Sequence, residues 1–121
     1  TPPGKACGAI GPTTSMRMDA FTPRLLRYGV NAMIGKGERG EAVRAAIMET
    51  GAVYFAAIGG CAAYMAACVE ALEVVAYDDL GTESIKRLTV RDLPLTVALD
   101  AQGGDAYAMG AERYRELCQN P

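Results

Sequence analysis

Short apolar segments that end at glycines constrain the fold of this 121-residue chain more than any other feature. Val30–Ile34 and Ala52–Ile58 read as buried strands, and they run into Gly35-Lys36-Gly37 and Gly59-Gly60. Residues 38–50 lie between them, begin with acidic residues, carry apolar residues at helical spacing and stop at a glycine, which is typical of a helix. Continuous apolar strands separated by helices favour a partly parallel sheet with covered faces.

Apolar spacing and turn residues predict seven further elements. They are strands over residues 5–10, 72–77, 85–90 and 95–99, and helices over 18–28, 60–69 and 111–117. In the first of these helices, which starts at Met18 or Thr22, Thr22-Pro23 is expected to form the N-cap and first helical position and Gly29 the C-cap. The whole chain, 1–121, is therefore predicted to be a single α/β domain with a mixed, partly parallel sheet flanked by helices.

Charge is distributed unevenly along the chain. The net charge of −2 and the pI near 5.1 give no reason to expect nucleic-acid binding. Residues 1–44 nevertheless hold seven Lys and Arg against three acids, whereas residues 45–121 hold five against eleven. An anion site in the first third explains this asymmetry, and chance explains it as well.

Two features bear on membranes and metals. Residues 51–69 carry no charge, but they are rich in Ala and Gly and are flanked by Glu, so a buried strand, a turn and a helix are expected there and no membrane span. The four cysteines form no C-x-x-C pair and the chain has no His. We therefore expect no metal site held by this chain alone, and free thiols in a cytoplasmic protein.

Two segments carry groups suited to anion binding. In Gly11–Arg17 the three hydroxyl residues at 13–15 precede an arginine, whose planar guanidinium can hold a carboxylate or phosphate through two parallel hydrogen bonds. Lys36 lies between two glycines at a predicted strand end. A capped helix with a surface arginine, and a solvated loop lysine, are the simpler interpretations. The junctions at 11–17, 35–37 and 59–60 are predicted to lie along one sheet edge.

Residues 11–19, Gly-Pro-Thr-Thr-Ser-Met-Arg-Met-Asp, resemble the GPTT-x-x-RMD signature of the class I (iron–sulfur) fumarase and L(+)-tartrate dehydratase family. Residues 33–37, 58–60 and 84–94 are also similar to segments of that family, in the same order and with similar spacing. The resemblance extends over nearly the whole chain, and the first motif is its most specific part.

The resemblance implies a swivelling β/β/α domain that is the β subunit, or the C-terminal domain, of a hydro-lyase. A partner α subunit would supply a [4Fe–4S] cluster, and the two chains would form a hetero-oligomer around a small dicarboxylate. The implied reaction is the reversible hydration of fumarate to malate. A tartrate dehydratase β subunit is the alternative, and a non-catalytic partner or regulatory module that keeps the fold is an alternative of another class.

The resemblance also implies roles for individual residues. Thr13 matches the family's candidate base, Arg17 a substrate-carboxylate arginine and Lys36 a substrate-binding lysine, while Thr14 is a further substrate-binding candidate. The family's T-A-R-D segment, which bears another arginine, falls before residue 1, so the N-terminal part of the β subunit is expected to be missing here. Met16 departs from the family pattern and is expected either to reshape the pocket or to pack.

Overall fold

The computed structural model describes residues 1–119 and contains five strands and four helices. The strands are β1 (Ala32–Gly35), β2 (Val53–Ala56), β3 (Val69–Ala76), β4 (Ile85–Val90) and β5 (Thr96–Leu99). The helices are α1 (Thr22–Arg27), α2 (Glu41–Thr50), α3 (Ala62–Ala67) and α4 (Ala106–Gln119), and 3-10 turns cover Ser15–Met18 and Asp78–Glu83. The predicted α/β class is confirmed.

The chain divides into two compact units. Residues 12–58 and the chain from Leu95 onward form the mixed-sheet unit, and residues 1–11 with 59–94 form the hairpin unit. In the mixed-sheet unit the strand order is β1-β2-β5, with β1 parallel to β2 and β5 antiparallel to it. The prediction of a mixed, partly parallel sheet is therefore confirmed.

The core of the mixed-sheet unit lies between its sheet and its helices. Its buried members are Leu26, Val43, Ala46, Ile47, Ala52, Tyr54, Ala98 and Leu99. The three from α2 follow helical spacing, so that helix buries one face, as its sequence pattern predicts. It ends at Gly51, whose φ of 72° is the left-handed conformation that glycine adopts most readily.

The acidic residues predicted a helix start at residue 38, but helix α2 begins at Glu41. Gly40 is its N-cap in an extended conformation, and the Gly40 N–H donates to Asp19 Oδ2 at 2.5 Å. A carboxylate from a distant part of the sequence thus satisfies a donor at the helix start.

The ends of α1 also differ slightly from prediction. Phe21 is the N-cap, and Thr22 is the first helical residue, with its hydroxyl donating back to the Met18 carbonyl at 2.8 Å. Tyr28 is the C-cap, and Gly29 follows it with φ of 104°. The helix itself is confirmed, but its predicted caps are each displaced by one residue.

The hairpin unit contains α3 and the antiparallel pair β3–β4, in which Val69 lies opposite Val90. The strand predicted over residues 5–10 is wrong. Instead the Ile10 N–H donates to the Ala62 carbonyl at 3.2 Å, and the Cys7 thiol lies 3.9 Å from the Ala66 carbonyl oxygen. The polar groups of this segment are therefore satisfied by α3 and not by a neighbouring strand.

The uncharged stretch 51–69 folds as predicted, into a strand, a turn and a helix. It contains β2, the turn at Gly59-Gly60 and α3. No helix within residues 1–119 has both the length and the apolar character needed to cross a membrane.

Candidate functional site

Backbone pairing places the turn at Thr13–Ser15 beside the glycine-flanked lysine. Thr14 and Lys36 form an isolated parallel bridge. The Ser15 N–H donates to the Lys36 carbonyl at 3.1 Å, and the Lys36 N–H donates to Ser15 Oγ at 3.1 Å. Two of the three predicted junctions thus lie side by side in the mixed-sheet unit. No strand precedes the first of them, and the third, Gly59-Gly60, belongs to the hairpin unit.

Gly35 permits this close approach because it has no side chain. A Cβ atom at position 35 would lie 1.8 Å from Ser15 Oγ and 3.3 Å from Tyr54 Oη. Atoms that are not bonded to each other do not approach within 1.8 Å, so a side chain at position 35 would have to displace the Ser15 hydroxyl.

Gly35→Ala is expected to destabilise the chain by about 1–3 kcal/mol, because the new methyl group must push Ser15 aside. The measurement is a chemical-denaturation midpoint followed by far-UV circular dichroism. Gly35→Ala/Ser15→Gly, which removes the atoms struck by the methyl group, should recover part of the loss. Equal destabilisation by the single and double variants would show that the clash is not with Ser15.

A buried ion pair anchors the other end of the turn. Arg39 Nε donates to Asp19 Oδ1 at 2.7 Å, and the side chains are only 3% and 18% exposed. Arg39 Nη2 also donates to Thr22 Oγ1 at 2.7 Å, and its guanidinium carbon lies 5.1 Å from the centre of the Tyr54 ring. Neither Asp19 nor Arg39 had been assigned a role from the sequence, although Asp19 ends the quoted motif.

Tyr54 is a third residue to which no role had been assigned from the sequence. It is fully buried in β2, and its hydroxyl oxygen lies 2.9 Å from the Gly37 carbonyl oxygen and 3.1 Å from Ser15 Oγ. Burial is the main cause that raises the pKa of Tyr54 above its usual value, so the phenol stays protonated at neutral pH. A tyrosine in an apolar strand reads as a core residue, and nothing in its sequence neighbourhood indicates a contact with the turn.

The side chains of the two predicted cationic site residues have no hydrogen-bonding or ionic partner in the part of the chain that the structure describes. Among residues 1–119, neither the Arg17 guanidinium nor the Lys36 ammonium makes a hydrogen bond or an ion pair. Arg17 is exposed and Lys36 is half-buried, while Thr13 and Thr14 are both exposed. Three other arginines of the mixed-sheet unit are paired with carboxylates, at Arg27–Glu49, Arg39–Asp19 and Arg44–Asp105. Arg17 and Lys36 thus offer two positive charges that an anion can bind.

An open cavity of about 330 Å³ adjoins the turn. Thr13, Thr14 and Ser15 line it together with Met18, Thr22, Leu25, Leu26, Val30, Met33, Ile34 and Arg39. Arg17 and Lys36 are not among its lining residues. Apart from the hydroxyl residues and Arg39, the lining is apolar, which suits a protein side chain better than a carboxylate.

The described residues do not fit an iron–sulfur cluster. Residues 1–119 contain no group of three or more His, Cys, Asp and Glu side chains placed to hold a metal ion. All four cysteines are free thiols; Cys7 and Cys68 are buried, and the Cys68 sulfur lies 3.6 Å from the Tyr64 and Asp92 carbonyl oxygens. An iron–sulfur cluster is held by several cysteine sulfurs placed around it, and the cysteines of residues 1–119 are not grouped in that way.

Comparison with known proteins gives a family and several relatives. The family model described as Fumarase C-terminus matches residues 1–110. The chain is 38% identical over 109 residues to the aerobic class I fumarate hydratase of Escherichia coli K12, covering 88% of this chain and 20% of the relative. It is 34% identical over 110 residues to fumarate hydratase 2 of Leishmania major, covering 89% and 19%.

A relative with a different name is similar to nearly the same extent. The chain is 37% identical over 105 residues to the putative L(+)-tartrate dehydratase subunit beta of Methanocaldococcus jannaschii, covering 84% of this chain and 54% of the relative. The chain thus spans about a fifth of the length of the fumarate hydratases it matches and about half of this β subunit.

Proposed function

The chain belongs to the Fumarase C-terminus family, and from this membership we propose that it is the dicarboxylate-binding part of a hydro-lyase. One observation carries the proposal: the bridge between Thr14 and Lys36 joins a turn rich in hydroxyls to a lysine, and the turn also bears Arg17, which has no side-chain partner within residues 1–119. Hydroxyls and two cationic residues on adjoining segments suit a substrate with two carboxylates.

In this proposal Arg17, Lys36 and Thr14 bind the substrate carboxylates. Thr13 acts on one of the two carbons that join those carboxylates. Hydration of fumarate adds hydroxide to one alkene carbon and a proton to the other, and dehydration reverses both steps. In dehydration Thr13 would take the proton from the carbon next to a carboxylate. A neutral hydroxyl is a very weak base, so this role requires an alkoxide-like state of Thr13 or a neighbouring proton acceptor.

Fumarate is the proposed substrate, because the relatives named fumarate hydratase include bacterial and protozoan enzymes. Tartrate is the second candidate, favoured by the similarity to the relative named as a tartrate dehydratase β subunit. The two hydrated substrates differ by one hydroxyl, and no residue of this chain has been tied to that group.

We propose that the cluster implied by the family resemblance is held outside the described residues, by a partner α subunit or by a further domain of a longer chain. When bound, it would act as a Lewis acid on the substrate hydroxyl and carboxylate. The open cavity supports such a partner, because its lining residues Met18, Leu25, Val30 and Ile34 are 39–51% exposed. Apolar side chains exposed together beside a site are typical of a surface covered in the assembled protein.

The test is anaerobic reconstitution of the chain with its candidate α partner, followed through the absorbance of fumarate. Turnover is expected for the pair and not for the chain alone. Tartrate as a competing substrate distinguishes the two enzyme candidates. No turnover of either substrate, even with a longer chain that includes the T-A-R-D segment, would favour the non-catalytic module.

Arg17→Ala is expected to lower kcat/KM of the assembled enzyme by about 10- to 150-fold, because a lost charge-assisted hydrogen bond costs about 1.5–3 kcal/mol. Arg24→Ala is the matched control: Arg24 is exposed on α1 and hydrogen-bonds Tyr28 at 3.2 Å, outside the site. It should leave kcat/KM unchanged. If Arg17→Ala and Arg24→Ala changed kcat/KM equally, Arg17 would not be a substrate-binding residue.

A further inference from the structure

We propose that Ser15 and Tyr54 are positioning residues that set the place of the Lys36 ammonium group relative to the substrate. This inference rests on the proposed function of the same site. It begins from the main chain of Lys36, which is held on both sides by Ser15: the Lys36 N–H donates to the serine hydroxyl, and the Lys36 carbonyl accepts from the serine N–H.

The direction of the hydroxyl hydrogen bonds follows from the groups involved. Tyr54 has one hydroxyl proton, and the Gly37 carbonyl oxygen 2.9 Å away can only accept. The Tyr54 proton therefore points to Gly37, and the Ser15 hydroxyl, 3.1 Å from Tyr54 Oη, donates to the tyrosine. The resulting chain runs from the Lys36 N–H through both hydroxyls to the Gly37 carbonyl, so it spans Lys36 from its own amide to the next residue.

The tyrosine end of this hydrogen-bond series is buried and tightly packed. Tyr54 is fully buried in the core of the mixed-sheet unit, and the Arg39 guanidinium covers its ring at 5.1 Å. The Lys36 ammonium, in contrast, has no hydrogen-bond partner within residues 1–119. The main chain of Lys36 therefore determines where its flexible side chain starts, and Ser15 and Tyr54 hold that main chain.

The hydroxyls act on the reaction through Lys36 and need no contact with substrate. Tyr54→Phe keeps the buried ring, removes the last donor of the chain and leaves the Gly37 carbonyl without that bond. The loop bearing Lys36 is then free to move, and a small displacement of a charged group weakens its hold on a carboxylate. Since Lys36 is proposed to bind substrate, Tyr54→Phe should lower kcat/KM mainly by raising KM.

The experiment uses the assembled enzyme with Tyr54→Phe, Ser15→Ala and, as control, Tyr28→Phe, whose side chain is exposed near the end of α1. Tyr54→Phe and Ser15→Ala are each expected to lower kcat/KM by about 2- to 12-fold through KM, the range of one net hydrogen bond. The control should leave kcat/KM unchanged. A purely structural role would lower the melting temperature and leave KM of the folded enzyme as it was, which would overturn the proposal.

A second arm tests whether the effect passes through Lys36. In a Lys36→Ala background, Tyr54→Phe should cause no further loss of kcat/KM, whereas additive losses would contradict the proposal. A third arm does not depend on activity: amide hydrogen exchange at Lys36 should be faster in Tyr54→Phe than in the wild type and in Tyr28→Phe. Unchanged exchange overturns the positioning role, whereas faster exchange in an assembly without turnover supports it and counts only against the proposed function.

Discussion

Thr13→Val is expected to lower kcat of the assembled enzyme by about 10²- to 10⁴-fold, the contribution of a positioned acid or base. Valine has nearly the shape of threonine and removes only the hydroxyl. Thr13 is exposed at the wall of the open cavity, and its side chain makes no hydrogen bond within residues 1–119. The fall in kcat should therefore come from the lost hydroxyl and not from unfolding, so the far-UV circular dichroism and the melting temperature should be unchanged.

Two variants give this prediction its controls. Thr13→Ser keeps a hydroxyl at the same position and should retain most of the activity. Thr14→Val removes the neighbouring hydroxyl, which we assign to binding, and its effect should appear mainly in KM. If Thr13→Val kept kcat within about threefold of the wild type, the base would have to be another group, because a general base contributes far more than that.

Asp19→Ala is expected to cost about 3–5 kcal/mol of stability, because it leaves the buried Arg39 charge without a partner. For a chain of this length that corresponds to a fall in melting temperature of roughly 10–20 °C. The carboxylate also accepts the Gly40 N–H at the start of α2, so the helix loses that contact as well. Thermal unfolding followed by far-UV circular dichroism measures the change.

The matched control is Glu49→Ala, which breaks the Arg27–Glu49 pair on the surface. Both of its side chains are more than half exposed, so solvent and salt screen the interaction and no clear shift is expected. Asp19→Ala/Arg39→Met removes the isolated charge and should regain much of the lost stability. If Asp19→Ala and Glu49→Ala lowered the melting temperature equally, burial of the Arg39–Asp19 pair would not be what makes it stabilise the fold.

Local patterns allowed much of the fold to be predicted. The helix from Glu41 to Thr50 was predicted from its apolar spacing and the glycine after it, both of which depend only on residues a few positions apart. The strand over residues 5–10 was predicted by the same reasoning and is absent. A six-residue segment shows too little periodicity to distinguish a strand from an extended segment packed on a helix.

The candidate site was predicted less completely than the fold. The contacts that the sequence did not predict all join residues far apart in the chain. Ser15 and Lys36 are 21 positions apart, and Tyr54 lies 39 positions from Ser15. Their contacts arise only when β1 pairs with β2 and the turn pairs with Lys36. Gly35 carried a usable signal, because a glycine within an apolar strand indicates a close approach of another backbone, although the partner could not be known.

The sequence by itself determined the family and the α/β class, and it predicts an anion site in the segment Gly11–Arg17. These depend on residue identities and short spacings, which a single chain displays directly. Only the tertiary structure decided that Lys36 is held by Ser15 and Tyr54, and that Asp19 pairs with the buried Arg39. Such contacts join residues far apart in the chain, and their energies depend on burial, which exists only after the sheet and helices have packed.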